Sequence, residues 1–318
     1  MSLPIHHHTL PQTTGTGASD GWCPLGSLGV IRAQGPEAVK FLQGQLTQDF
    51  SLLPPGQARL AAYCSAKGRM QASFIGIKRS EEEVLLLCSA DLLAQTLRRL
   101  SMFVLRAQLR LTDDSAAWLL RGLAGSAVPA GLAAAPWSAL DTPEGMAIRL
   151  YPAEGVSRAL LLSPVGATDP GPGLLEQAVW DWLEVRSGVA MVTRPVFEAF
   201  VPQMLNYESV GGVSFKKGCY PGQEVVARSQ FRGTLKRRAF VVHGESPVLV
   251  GQEVFHSQDN TQPCGTVAAA AARPDGGGFD AIVSMQTSAA SGGSLHLGTA
   301  DGPALRVLPL PYVLLDDI

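Results

Sequence analysis

The sequence predicts an α+β fold that ends in a small β-barrel, and three observations support this prediction. Helical and strand-like stretches interleave up to about residue 238 without a regular βαβ repeat. No glycine-rich fingerprint follows the first predicted strand, which argues against a dinucleotide-binding Rossmann domain. Beyond residue 238 the helix signals vanish, and short apolar runs alternate with turns, as is typical of a small all-β module.

The α+β region covers residues 21–238 and follows a tail, residues 1–20, that is predicted to be flexible. Apolar residues at helical spacing predict helices over 36–46, 91–104, 174–186 and from Pro221 onward. Short apolar runs bounded by turn residues predict strands over 28–33, 59–65, 70–78, 84–89, 107–112, 116–121, 145–151 and 158–163. The Pro- and Gly-rich segment 163–173 predicts a linker between two lobes of this region.

The barrel is predicted over residues 239–318. Its strands are expected at 240–243, 266–271, 281–285 and 304–308, separated by turns such as the glycine-rich run 274–278. The chain is therefore predicted to have three folded parts rather than the two that its length of 318 residues would suggest.

The charge of the whole chain is close to neutral. There are 25 Lys and Arg residues against 27 Asp and Glu, a net charge of −2, which by totals excludes a generic polyanion binder. No Lys or Arg precedes Arg32, so neither a secretory signal nor an organellar presequence is predicted. The longest weakly charged stretch, 122–140, is interrupted by Gly and Pro and does not predict a membrane span. We therefore expect a cytoplasmic protein without a membrane partner.

The five cysteines predict reduced thiols rather than disulfides or a metal site. They lie far apart in the chain, so that no CxxC pair and no zinc ribbon is present. An odd number of cysteines without a secretory signal indicates that the thiols stay reduced. Cys64 and Cys88 stand in apolar strand-like runs and are expected in the core, whereas Cys219 has a different context.

That context is a basic strip, residues 216–238, with the sequence KKGCYPGQEVVARSQFRGTLKRR. It holds seven cations and one carboxylate, a net charge of +6, so the rest of the chain carries −8. A cluster of this kind focuses a potential that attracts anions. The basic strip therefore predicts an anion site, although a solvated basic face is the alternative.

Cys219 is predicted to lie in a loop that enters a helix. Pro221 suits the first helical turn, which places the cysteine just before the helix N-terminus and beside Lys217. Both the unpaired N–H groups and a nearby cation stabilise a thiolate, so the sequence predicts a reactive thiol assisted by Lys217. A cysteine that merely caps a turn is the alternative. The histidines of the barrel have no partner signature, so a Cys/His hydrolase is unsupported.

The eight residues from Lys217 to Glu224 resemble the K-G-C-Y-x-G-Q-E signature of the YgfZ family. This family belongs to the folate-binding superfamily of the glycine-cleavage aminomethyltransferase. Further similar segments are Phe41-Leu-Gln-Gly-Gln-Leu-Thr-Gln-Asp49, Ala66-Lys-Gly-Arg69, Phe200-Val-Pro202, Gly211-Gly-Val-Ser-Phe215 and Pro309-Leu-Pro-Tyr312. The resemblance thus spans about residues 25–315.

The resemblance implies a ring of two ferredoxin-like α+β lobes and a C-terminal β-barrel around a central channel. It implies that tetrahydrofolate or a one-carbon derivative binds in the channel, and that the partners are iron–sulfur client enzymes, including those that modify tRNA. Cys219 and Lys217 are the candidate catalytic residues. Folate contacts are expected from Trp182, which matches by position the family's folate-contacting tryptophan, and from Tyr220, Gly222, Gln223, Glu224 and Arg228. For Trp182 a role in the core, on the apolar face of its helix, is the alternative, and a second family tryptophan corresponds to Leu28.

One departure from the aminomethyltransferases separates the hypotheses. Those enzymes carry acidic residues after the turn that corresponds to Gly68, whereas Met70-Gln-Ala-Ser73 stands there in this chain. Without that carboxylate, methylene transfer lacks its acid/base group. The favoured hypothesis is therefore a folate-binding accessory protein for assembly or repair of iron–sulfur enzymes. The alternatives are a true aminomethyltransferase and an RNA-binding module in which residues 228–238 contact tRNA phosphates.

Overall fold

The computed structural model describes residues 19–171, 173–231, 235–259 and 261–315, so the predicted tail lies almost entirely outside the described residues. Two five-stranded antiparallel sheets and a closed six-stranded barrel make up the fold. The α+β class with a C-terminal barrel is therefore confirmed. The helices are α1 (Ala38–Gln43), α2 (Ala90–Ser101), α3 (Gln177–Arg186) and α4 (Gln223–Phe231).

The first lobe is a sheet with the strand order β3-β4-β5-β2-β6. Its strands are β2 (Leu28–Gln34), β3 (Gln57–Cys64), β4 (Met70–Ser80), β5 (Glu83–Ser89) and β6 (Arg110–Asp113). Both faces of the sheet are covered, because Ala61 and Ile31 pack in the cluster shared with α1 and α2, whereas Leu60 and Val30 pack toward the rest of the molecule. This is why Met70 to Lys78 of β4 are all buried.

The second lobe is a sheet with the order β1-β7-β10-β9-β8. Its strands are β1 (Gly21–Pro24), β7 (Trp118–Ala124), β8 (Ala139–Thr142), β9 (Gly145–Arg149) and β10 (Arg158–Pro164). The chain passes from the first sheet to the second at residues 114–117. The predicted linker 163–173 begins with the last two residues of β10 and leads to α3 rather than from one sheet to the other.

The barrel closes in the order β11-β14-β13-β12-β15-β16. Its strands are β11 (Arg237–Gly244), β12 (Glu253–His256), β13 (Gly265–Ala272), β14 (Phe279–Gln286), β15 (Leu295–Leu297) and β16 (Ala304–Leu308). Helix α3 packs on the outside of β13 and β14, which attaches the barrel to the second lobe. No helix in the described parts of the chain is long and apolar enough to cross a membrane.

A largely irregular segment, residues 187–222, connects the three parts. Asn206 adopts a left-handed conformation (φ 58°), and its side-chain amide pairs with the backbone of Ala239 at 2.8 and 3.1 Å, as a neighbouring strand would. Trp137 of the second lobe donates its indole N–H to the carbonyl of Val210 at 2.8 Å. Because both lobes and the barrel bond to this connecting segment, its course is fixed without regular secondary structure.

Candidate functional site

The signature loop, residues 217–222, lies against the first lobe. Thr47 donates its hydroxyl to the carbonyl of Gly212 at 2.6 Å, and Gln48 donates its amide to the carbonyl of Gly211 at 2.7 Å. Gly222 has a φ of +80° and lies so close to the hairpin turn that a Cβ atom would be 2.7 Å from the Cα of Gly68. Three segments of the resemblance, distant in sequence, are thus brought together at the signature loop.

Lys217 holds this loop to helix α1. Its buried ammonium donates to the carbonyls of Gln43 and Leu46, which lie at and just beyond the end of α1. It also lies 4.7 Å from the centre of the Tyr220 ring, which is itself buried. Burial lowers the pKa of Lys217 to about 8, against the opposing attraction of Asp49 and Cys219. The predicted cation beside the thiol is therefore present, but its hydrogen bonds go to backbone carbonyls.

Cys219 is exposed, whereas the other four cysteines are buried. Burial raises the pKa of Cys64 and of Cys88 to about 12, and that of Cys23 to about 11. Helix α4 begins at Gln223, so the thiol lies in the loop ahead of the first turn rather than at its first residue. Cys219 is thus the one thiol of the chain that is presented to solvent.

The basic strip does not form a single surface. Arg238 is buried and pairs with Glu208 at 2.6 Å, and Lys217 is buried as described. Arg237 donates to the carbonyl of Cys264 at 2.9 Å, while the exposed Arg228 pairs with Glu224 at 2.7 Å. Arg232 lies outside the described residues. Several of the charges that the sequence placed in one site therefore serve the fold.

A second feature is the cavity between the two lobes, which we call the central cavity. It encloses about 810 Å³ of empty space including its open mouth. Most of its walls are apolar, and they come from β2, β4 and β10, from α3 and from the connecting segment. Strand β4 connects the signature loop with the central cavity. The turn before β4 touches Gly222, and Ile75 of β4 lines the cavity. Ile75 lies on the order of 17 Å along the strand from its first residue, Met70.

The lining of the central cavity includes a buried arginine, Arg158. This arginine forms an ion pair with Glu184, and places its guanidinium carbon 4.5 Å from the centre of the Trp180 ring. Burial lowers its pKa to about 9, which leaves it charged at neutral pH. The Nε of Arg158 and the hydroxyl oxygen of Thr193 are buried without a hydrogen-bond partner among the described residues. Such atoms are satisfied by a ligand or by water.

The structure places Trp182 elsewhere. Its indole N–H donates to Asp280 of β14 at 2.7 Å, and Arg273 lies 5.6 Å from its ring centre. Side chains two residues apart on a helix point about 200° apart around its axis. Trp182 therefore faces the barrel, while Trp180 faces the central cavity. Gly122 makes room for Trp180, because a Cβ there would lie 2.6 Å from the indole.

The residues that were predicted to hold folate are not those that line the central cavity. The cavity lining contains none of Trp182, Tyr220, Gly222, Gln223, Glu224 and Arg228. Sequence reasoning missed the cavity residues Arg158, Trp180, Glu184 and Thr193. A usable signal was the charge of Arg158 at the start of the apolar run RALLL, since an arginine in such a run is retained only where it finds partners.

The fold is that of the glycine-cleavage aminomethyltransferases. The structure of aminomethyltransferase T of the glycine cleavage system from Bartonella henselae matches with a TM-score of 0.66, over 95% of this chain and 89% of that chain, at 18% identity. No protein-family model matches the chain.

Two relatives define the family more closely. The tRNA-modifying protein YgfZ of Edwardsiella ictaluri (strain 93-146) is 31% identical over 313 residues, which cover 92% of this chain and 91% of that protein. The tRNA-modifying protein YgfZ of Klebsiella pneumoniae (strain 342) is 32% identical over 306 residues, which cover 89% and 90%. The chain therefore belongs to the YgfZ family.

Proposed function

We propose that the protein binds a reduced folate, tetrahydrofolate or a one-carbon derivative, in the central cavity. With its exposed thiol it then serves in the cytoplasm as an accessory protein for the assembly or repair of iron–sulfur enzymes. The clients include enzymes that modify tRNA, in keeping with the name of its relatives. The observation that supports the folate proposal is the pair of unpartnered buried polar atoms, Arg158 Nε and Thr193 Oγ1, in a mostly apolar cavity.

The residues present fit the chemistry of a pterin ring. Ligand sites are mostly apolar, with a few polar groups that fix orientation. A pterin is flat and apolar on its faces, and it carries N–H donors and nitrogen and oxygen acceptors on its edge. Glu184 can accept from the donors, and Arg158 Nε can donate to an acceptor. Leu28 and Met191 supply apolar wall surface. The bound folate would supply a carrier for one-carbon units.

The aminomethyltransferase alternative finds less support. Gln71, in the stretch where those enzymes carry acidic residues, is buried and donates its amide to Glu198 at 2.6 Å. Glu198 is exposed and is not among the residues that line the central cavity. The carboxylate of Glu198 is therefore close to the start of β4, but it does not line the cavity where folate is proposed to bind.

Calorimetry tests the folate proposal. We expect tetrahydrofolate to bind with measurable heat at micromolar concentrations, and Thr193→Val to weaken binding roughly tenfold, because it keeps the shape of the side chain and removes one hydrogen bond. Thr266→Val is the matched control, since Thr266 lies in the barrel, outside the residues that line the cavity. The absence of heat with the unmodified protein at high micromolar folate would refute the proposal.

A further inference from the structure

A groove between α4 and the barrel, which we call the basic groove, is an open depression larger than the central cavity. It holds about 1510 Å³ of empty space including its open mouth, and it shares no lining residue with the central cavity. Its walls bring together three cations and three hydroxyl groups: Arg228, Lys236, Arg237, Ser229, Thr287 and Ser288. Among the described residues that line it there is no Asp or Glu.

We infer that the basic groove binds the phosphodiester backbone of RNA. This inference rests on the proposed function, in which the protein acts with enzymes that modify tRNA. Arginine, lysine and the hydroxyls of Ser and Thr are the side chains that most often contact nucleic-acid phosphates. The groove combines these groups on one open surface. It also includes Gln286, Thr287 and Ser288, at the end of β14 and just beyond it, which lie outside the basic strip.

The cations of the groove are available to such a ligand. Arg228 is paired only with Glu224 among the described residues, and both side chains are more than half exposed, at 60% and 85%. Exposed pairs of this kind contribute little and exchange readily. Arg237 donates one N–H group to the carbonyl of Cys264, which fixes its guanidinium at the wall of the groove. The other N–H groups of this guanidinium can donate to a ligand.

The charge of the rest of the chain restricts where RNA can bind. Outside the basic strip the chain carries a net charge of −8, which disfavours the binding of a polyanion to the rest of the molecule. Helix α4 carries Arg228 and Ser229 and follows directly on the signature loop. An RNA strand in the basic groove would therefore run along the helix that begins beside Cys219, which brings the exposed thiol and the RNA to the same region of the molecule.

Fluorescence anisotropy with a labelled, unmodified tRNA transcript tests the inference. We expect the double variant Arg228→Gln/Lys236→Gln to bind at least tenfold more weakly at 100 mM salt. The slope of log affinity against log salt should become shallower by about 1.4, since each phosphate contact contributes about 0.7 on single strands. Lys40→Gln/Arg98→Gln removes two exposed charges from the first lobe and should change neither quantity appreciably.

Two results would overturn the inference: unchanged tRNA affinity in the groove variant, or an equal loss in the control variant. A third would reassign the groove, namely unchanged tRNA affinity together with weaker binding of a polyglutamylated tetrahydrofolate. Calorimetry with monoglutamyl tetrahydrofolate keeps the two proposals apart, because we expect the groove variant to bind it as the unmodified protein does.

Discussion

The backbone of Gly222 lies directly against the backbone of Gly68, so the signature loop and the hairpin turn of the first lobe meet without side chains between them. A Cβ on Gly222 would lie 2.4 Å from the carbonyl oxygen of Ser65, and the residue has a φ of +80°. The position therefore requires glycine for two reasons, since an L side chain is disfavoured by the backbone conformation and has no room.

We expect Gly222→Ala to lower the free energy of unfolding by about 2 to 3 kcal/mol, from backbone strain and overpacking together. Urea unfolding followed by tryptophan fluorescence measures the loss. Gly218→Ala is the matched control in the same loop, because a Cβ there meets nothing within 4 Å. An equal effect of both substitutions would show that the close contact with Gly68 is not what requires glycine at position 222.

The buried ammonium of Lys217 predicts a pH dependence of stability. Its pKa is about 8 in the folded protein and 10.5 in its ordinary state, so between these values the unfolded chain binds more protons. The free energy of unfolding of the unmodified protein, taken relative to that of Lys217→Met, should therefore rise with pH from about pH 8. One unit of pKa difference corresponds to 1.36 kcal/mol, so the total rise should be about 3 kcal/mol.

Urea unfolding of both proteins at pH 7 and pH 9.5 measures this difference. Lys216→Met serves as the control, because the neighbouring lysine is exposed. A constant difference between the unmodified protein and Lys217→Met across this range would mean that the ammonium keeps its ordinary pKa in the fold.

Thiol labelling should distinguish Cys219 from the other cysteines. A chromogenic disulfide reagent is expected to modify one thiol per chain rapidly in the native protein and all five after denaturation, because the other four are buried with raised pKa values. Cys219→Ser should abolish the rapid phase, whereas Cys264→Ala should keep it. Rapid labelling of more than one thiol would contradict the exposure described for this site.

The two tryptophans of α3 allow a direct comparison of their roles. Trp180→Phe should weaken tetrahydrofolate binding about tenfold, because it alters the wall of the central cavity and the ring against which the Arg158 guanidinium packs. Trp182→Phe should leave folate affinity unchanged and cost about 1 to 2 kcal/mol of stability through the lost hydrogen bond to Asp280. Calorimetry and urea unfolding measure the two effects, and an exchange of the two outcomes would place folate on the barrel side of the helix.

The regular parts of the fold were accessible from the sequence because their patterns are local. The strand at 304–308 was predicted with its observed bounds, and the predicted strands 70–78 and 84–89 lie within β4 and β5. Strands β1, β8, β12 and β15 were not predicted, since three or four residues are too few for an alternating pattern to be recognised. The predicted helix 91–104 ends at Ser101, beyond which turns lead to Leu105 with its φ of 42°.

The site was less accessible, because its composition depends on which neighbour covers each face. Trp180 and Trp182 are equally apolar in sequence, and only the packing of α3 on the barrel decides that Trp180 reaches the central cavity. Likewise, Arg238 stands among the cations of the basic strip, but its partner Glu208 lies 30 residues away in the chain. Long-range pairing of this kind leaves no periodic trace in the sequence.

The connecting segment has a consequence for how the protein matures. Its hydrogen-bond partners Thr47, Trp137 and Ala239 lie in three separate parts of the chain. All three parts are present only after most of the chain has been synthesised. Contacts between distant residues form late, because each must first overcome the entropy of closing a long loop. The loop that carries the exposed thiol of Cys219 therefore acquires its native surroundings only in a complete and folded chain.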